Sequence, residues 1–386
     1  MELYDPFDKE WLKHKFKFYD QIREMDTAYW SEKYQMYVFT RNKDVIHILS
    51  KPDIFISGQG NLVRDQPYRF GRTPGASDGK RHAYFRRTVK DAYSKSRIDA
   101  INESIRFKAT ELLTACGTEP FDIAHIIRVV SSYMSAEVIN LPGVDKEHLT
   151  KLILGIQLRS DRTVMYNTDN TEYDEFVKII VNLLENKVEP DGPGIYQEFI
   201  ENTTTYPYPQ TPVSLFTGPV ISGCYSMISA LEFTVYNLYK ENALGELLAN
   251  PELLSNAVDE ALRFNATTGK FARTVTEPIT LHNIDLKPGD RVAVCLDAAS
   301  RDPEMFEDPN KFDLHRKIIK STPFGYGVHA CAGQAIARSG LEQFLKTFLE
   351  IIGNYEVTTT EEQLQYIVTS SANNDIVEEI LIKKVP

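Results

Sequence analysis

Apolar residues recur at three- and four-residue spacing over 98–115, 173–187, 227–239, 251–264 and 335–352, the period of helices that turn one face to a core. Strand-like pieces are shorter: 36–40, 279–281, 291–294 and 376–382, with a turn at Pro288-Gly289-Asp290. The pattern predicts a mainly α protein with a minor β region. No internal repeat occurs, and the turn-rich spots at 71–79, 190–194 and 206–212 are too short to be linkers, so residues 1–386 read as a single domain.

One stretch has the length of a membrane span, because no charged residue lies between Glu201 and Glu232. Its 213–231 core, however, holds Gly218, Pro219, Gly223 and four serines, with no sustained Leu/Ile run, and reads as a buried helix of a soluble protein. The first eleven residues mix Glu2, Asp5, Asp8, Lys9 and Glu10 with apolar side chains, which is not the pattern of a signal peptide. A cytoplasmic protein without a membrane partner is expected.

Composition narrows the class. At 42% hydrophobic and 25% charged residues the chain is globular rather than disordered. Its net charge of −11 disfavours a broad nucleic-acid or anionic-membrane surface. Cys116, Cys224, Cys295 and Cys331 are far apart and form no CxxC pair, which argues against a disulfide framework and fits a reducing compartment.

The most informative segment is Pro323-Phe324-Gly325-Tyr326-Gly327-Val328-His329-Ala330-Cys331-Ala332-Gly333. It is followed by a helix whose apolar stripe runs through Leu341, Phe344, Leu345 and Phe348. A glycine-rich loop thus delivers Cys331 to a helix N-terminus, where amide groups and the helix dipole favour a thiolate suited to a metal. Zinc fits poorly, since His329 and Cys331 have no partner pair at finger-like spacing. Haem iron needs one protein ligand only. Alone, Cys331 would read as a small buried hydrophobe.

Phe324, Gly327, His329, Cys331 and Gly333 together resemble the haem-binding loop of the cytochrome P-450 superfamily, in its soluble bacterial type. Glu260-Ala261-Leu262-Arg263 resembles the family's Glu-x-x-Arg helix, and Ala299 to Pro303 with Phe306, Pro309 and Phe312 resembles the segment leading to the haem loop. The resemblance implies the cytochrome P-450 fold, haem b as cofactor, Cys331 as axial iron ligand, and Glu260 with Arg263 as a structural lock. The lock's third member falls at Lys311, where the family usually has Arg or His and where Lys offers no planar fork. His82 and Arg86 stand four apart, suited to gripping carboxylates, and the resemblance assigns His82, Arg86, Arg273 and His329 to the two haem propionates.

The family's central helix usually carries an acid followed by threonine, which deliver protons during oxygen activation. Here the stretch is Ile221-Ser222-Gly223-Cys224-Tyr225-Ser226. One register sets Cys224 and Tyr225 at the acid and alcohol positions; a slip of one residue sets Tyr225 and Ser226 there. The acid is missing in both, so the catalytic candidates are Gly223, Cys224, Tyr225 and Ser226, with protons reaching oxygen through a hydroxyl, a held water or the substrate.

The expected function is a haem-thiolate oxidoreductase of the monooxygenase type acting on a small organic molecule. Three alternatives stay open: oxidative coupling or cyclisation, rearrangement, or a haem-binding protein without turnover. Family topology places the pocket walls at 57–77, 153–187, 220–226, 267–271 and 366–371. A ferredoxin or flavodoxin is the expected electron donor, docking on a basic face formed by Lys80, Arg81, Arg87, Lys90, Arg316, Lys317, Lys320 and Arg338. A monomer is expected.

Overall fold

The computed structural model describes residues 2–65, 67–160, 171–202, 212–317, 322–369 and 374–385. Lys320, the turn-rich 206–211 and parts of two expected pocket walls (161–170 and 370–371) lie outside them. The chain opens with helix α1 (Lys9–Arg23), which Asp8 caps by accepting the Trp11 amide at 2.7 Å. Strands β1 (Tyr29–Ser31) and β2 (Met36–Phe39), helix α2 (Asn42–Ser50) and strand β3 (Phe55–Ile56) follow. Helices α3 (Gly79–Thr88) and α4 (Lys95–Thr114) lead to the short β4 (Phe121–Asp122). Then come α5 (Ile123–Ile139), α6 (Lys146–Ser160), α7 (Thr171–Glu185) and α8 (Ile195–Asn202).

The central helix is built from α9 (Pro212–Gly218), one wide π turn at Pro219–Gly223, and α10 (Cys224–Lys240). Helices α11 (Leu244–Ala249) and α12 (Leu254–Phe264) precede strand β5 (Lys270–Val275) and the β6 (Ile279–Leu281)/β7 (Ile284–Leu286) hairpin. Strand β8 (Arg291–Cys295) runs into α13 (Leu296–Ala299), and α14 (Gln334–Ile351) leads to β9 (Tyr355–Val357) and β10 (Tyr366–Val368). Strands β11 (Asp375–Val377) and β12 (Leu381–Lys384) close the chain.

The expected helices and the mainly α class are observed. The segment 376–382 is two strands rather than one: Ile376 pairs with Ile367, whereas Ile382 pairs with both Val357 and Phe121 in another sheet. Glu378 and Glu379 mark the break between them. The larger sheet has order β1-β2-β8-β5-β3, with only β2 and β8 parallel.

Helices α4, α5, α10, α12 and α14 enclose the largest hydrophobic core. Gly340 sits where α14 meets its neighbours: a β-carbon there would lie 3.1 Å from Ile105 Cδ1 and Met227 Cε, so glycine permits the close approach that positions α14. The segment 213–240 is long and apolar enough to cross a membrane by length and composition. Half of its most apolar window is buried, and every residue from Cys224 to Leu238 except Ser226 lies inside the protein. It packs as the buried helix the sequence suggests.

A second feature ties distant segments together. Lys15 of α1 lies 3.0 Å from Asp297 of α13 and also pairs with Asp375 of β11, while Lys270 of β5 lies 3.4 Å from Asp297 and 3.6 Å from Asp375. All four are buried. Burial alone would push the Lys15 ammonium down and the Asp375 carboxyl up. The opposite charges win: Lys15 is raised above its ordinary range and Asp375 lowered below its own.

Candidate haem-thiolate site

The loop before α14 is shaped by its glycines. Gly325 (φ +70°) and Gly327 (φ +71°) adopt backbone angles that other residues rarely take. A β-carbon on Gly327 would also fall 2.5 Å from the Leu49 carbonyl oxygen of α2. The Gly325 amide donates to Thr322 O at 2.9 Å, the Ala330 amide to Gly327 O at 3.0 Å, and the Cys331 amide to Phe324 O at 2.9 Å. The turn thereby presents Cys331 three residues before α14. Gly333 has an ordinary φ of −88°, and a β-carbon there would meet Cys331 Sγ at 3.9 Å.

The Cys331 side chain is accessible although protein surrounds it on most sides, so it borders an interior cleft rather than the outer surface. That enclosure pushes its thiol up, and the Gly333 amide and Arg86 guanidinium only partly pull it back. The Tyr93 phenol is raised by burial and by the charge of Cys331.

Four basic side chains converge beside the cysteine. The rings of His82 and His329 lie 4.1 Å apart, and Arg86 Nη1 donates to Ala330 O at 2.7 Å. Arg273, buried on β5, donates to Ala272 O at 2.8 Å, and burial lowers it to about 10. Burial, His329 and Arg86 together depress His82 to about 4. Among the described residues, the carboxylate that stands against these four is Asp78, which precedes α3. It lies 3.5 Å from His329 Nε2 and accepts the Ser57 and Gly58 amides at 2.9 and 2.6 Å. Burial would raise its pKa; His329 and the two amides overcome that and hold it low. The sequence reading missed Asp78, although Ser-Asp-Gly before a helix is a recognisable cap signal.

Glu260 and Arg263 are fully buried, and their fork is bidentate at 2.7 and 2.8 Å. Arg263 also donates to the carbonyls of Ser300, Pro309 and Lys311. The expected third member is corrected here: the Lys311 side chain is exposed and only its carbonyl takes part, whereas Arg316 Nε reaches Glu260 Oε1 at 3.2 Å. Arg316 is therefore withdrawn from the expected basic face, and Arg338 pairs with Asp259. Lys80, Arg87, Lys90 and Lys317 are exposed, as are Tyr326 and Val328 of the cysteine loop.

On the central helix the residues divide by face. Pro219 has no amide to continue the regular ladder, and the turn widens so that the Cys224 amide donates to Pro219 O. Cys224 is buried with Sγ 3.7 Å from Ser132 Oγ, and Tyr225 is buried with its hydroxyl donating to Gln157 O at 3.0 Å. Both turn away from the accessible ridge, which carries Ser222, Gly223 and Ser226. Ser226 donates to Ser222 O at 2.8 Å. Ser222 was missed; four-residue spacing from Ser226 was its signal. The one carboxylate of this helix, Glu232, is buried against Arg128 and the Val377 amide.

The family model described as Cytochrome P450 matches residues 245–373, the segment that holds Glu260, Arg263, Arg273, His329 and Cys331. Over that segment the chain is similar to the cytochrome P-450 family. Over nearly its whole length it is similar to curated members. It is 22% identical to pulcherriminic acid synthase of Bacillus subtilis, over 92% of each chain. It is 24% identical to the mycinamicin IV hydroxylase/epoxidase of Micromonospora griseorubida, over 86% of each. The solved cytochrome P-450 of the Bacillus subtilis bacillaene polyketide synthase superposes with a TM-score of 0.85 at 20% identity, covering 99% of this chain and all of that one.

A cytochrome P-450 carries haem b and is a monooxygenase-type oxidoreductase that takes small-molecule substrates. The residues present fit that cofactor: a thiol opens onto an interior cleft, and beside it, among the described residues, four basic groups outnumber their one carboxylate, the donor set that two propionates require.

Proposed function

We propose that the chain, as one domain, uses Cys331 as the axial ligand and His82, Arg86, Arg273 and His329 as the propionate grip. In this role it oxidises a small organic molecule of secondary metabolism in the cytoplasm. The observation that carries the reading is the convergence of these five residues, drawn from α3, β5 and the loop before α14, on one interior cleft. Thiolate-ligated haem supplies oxygen activation when bound. The chain's own part is to stabilise the thiolate through the Gly333 amide and Arg86, and to neutralise the propionates.

Ser222, Gly223 and Ser226 form the accessible ridge of the central helix. Ser226 already spends its proton on Ser222 O, so its oxygen is an acceptor toward the cleft, suited to holding a water or a substrate hydroxyl that passes a proton on. Glu232, committed to Arg128, takes no part. A ferredoxin or flavodoxin supplies electrons to a monomer at the exposed surface of the cysteine loop, where Lys80, Arg87, Lys90 and Lys317 give positive charge on an acidic protein.

The test is the carbon monoxide difference spectrum of the reduced, purified protein, repeated with a library of small metabolites. A thiolate-type Soret band that Cys331→Ala abolishes is expected. A variant that keeps the band overturns the ligand assignment, and a wild-type protein that takes up no haem returns Cys331 to a packing role.

A further inference from the structure

The π turn of the central helix is held from outside by two other helices. Ser135 of α5 donates to Pro219 O at 3.2 Å, and the Gln157 side-chain amide of α6 donates to Val220 O. Gln157 makes a second contact with the same segment through its backbone, because its carbonyl accepts the Tyr225 hydroxyl at 3.0 Å. One residue of α6 therefore bonds the helix within the wide turn, at Val220, and again just beyond it, at Tyr225. Gln157, Val220 and Tyr225 are all buried.

Between these two anchors lie Ser222 and Gly223, and Ser226 follows directly. Pro219 breaks the regular ladder, which explains why the helix can widen here. It does not fix the direction in which the loosened carbonyls point. Gln157 supplies a direction at Val220 O, and Ser135 adds a second donor at Pro219 O, which already accepts the Cys224 amide. Tyr225, at the place where the family carries its acid or alcohol, is used as a strut to α6.

We infer that Gln157 and Tyr225 form a latch through which the position of α6 sets the shape of the π turn and hence the placement of the Ser222–Ser226 ridge. Gln157 is a positioning residue: it acts through the turn and is not part of the chemistry. Any displacement of α6 is passed directly to the ridge by two hydrogen bonds, so the wall that α6 forms and the oxygen side of the cleft move together. The inference rests on the reading of the cleft as a haem-thiolate site.

Three measurements on the holoprotein test it, using Gln157→Ala and, as the gentler change, Tyr225→Phe, which removes one hydroxyl. Amide hydrogen exchange in the peptide covering 219–226 is expected to quicken about tenfold in each variant, while exchange in α14 stays as in wild type. The rate at which the reduced protein reoxidises in air is expected to change about fivefold or more, with the carbon monoxide band unaltered. Exchange and reoxidation both within about twofold of wild type in Tyr225→Phe, with the thiolate band intact, overturn the latch alone. A wild-type protein without the thiolate band overturns the haem-thiolate reading, and the latch with it.

Discussion

Arg316 Nε lies 3.2 Å from Glu260 Oε1, completing a buried lock that Lys311, five residues earlier in the chain, does not enter with its side chain. The guanidinium also donates to the carbonyls of Glu307, Asp308 and Lys311, so it closes the 307–316 segment on itself as well as onto α12. Arg316→Ala is expected to lower the unfolding free energy by about 1.5–3 kcal/mol, the range for a hydrogen bond to a charged partner. Lys311→Ala is expected to stay within about 0.5 kcal/mol. Urea unfolding of the two variants side by side checks the order, and a larger loss for Lys311→Ala would restore the residue suggested by sequence.

His82 gives a pH signature to the haem-free protein. Its folded pKa of about 4 lies below the ordinary imidazole value, through burial first and then His329 and Arg86. Between about pH 6.5 and 4 the unfolded chain therefore binds a proton at His82 that the folded protein refuses, and stability falls as the pH drops through that window. His82→Gln removes this component. Urea midpoints at pH 7, 6 and 5 are expected to fall less steeply for the variant, and parallel profiles would show that His82 does not carry the dependence.

The buried Lys15, Lys270, Asp297 and Asp375 group is balanced only as a whole. Lys15→Met leaves two carboxylates facing one ammonium and is expected to cost about 3–5 kcal/mol. Lys15→Met combined with Asp375→Asn restores neutrality and is expected to recover part of that loss. A denaturation double-mutant cycle measures the coupling. Losses that simply add would show that Lys15 and Asp375 act independently.

The cysteine loop is legible in sequence because its function is written in local backbone demands, in glycines at fixed distances from one thiol. The pairing of His82 with Arg86 beside the cysteine is legible because the two share one helical turn. Helix α5 is hidden, since it is buried almost all round and its serines interrupt the apolar faces, so no amphipathic period shows. Strand β5 is hidden for the opposite reason. Its Lys270 and Arg273 look like surface residues until Asp297, Asp375 and the histidine cluster are brought beside them by folding. Register on the central helix was beyond a linear count, because the π turn inserts an irregular step between Pro219 and Cys224 and swings Tyr225 off the face that spacing assigns it. The choice of Arg316 over Lys311 depends on how the 307–316 segment doubles back, which no local pattern announces.

The close approach of Gly327 to the Leu49 carbonyl sets an order of assembly. The ligand loop is moulded against α2, a helix from the opposite end of the chain, and a contact of such long sequence separation is among the last to pay back its closure entropy. A ribosome-bound chain has finished α2 long before Cys331 emerges, so the mould waits for the casting. A lesion in α2 that spares every cofactor contact is therefore expected to disturb the cysteine loop and to appear in the cell as a protein with a lowered haem content.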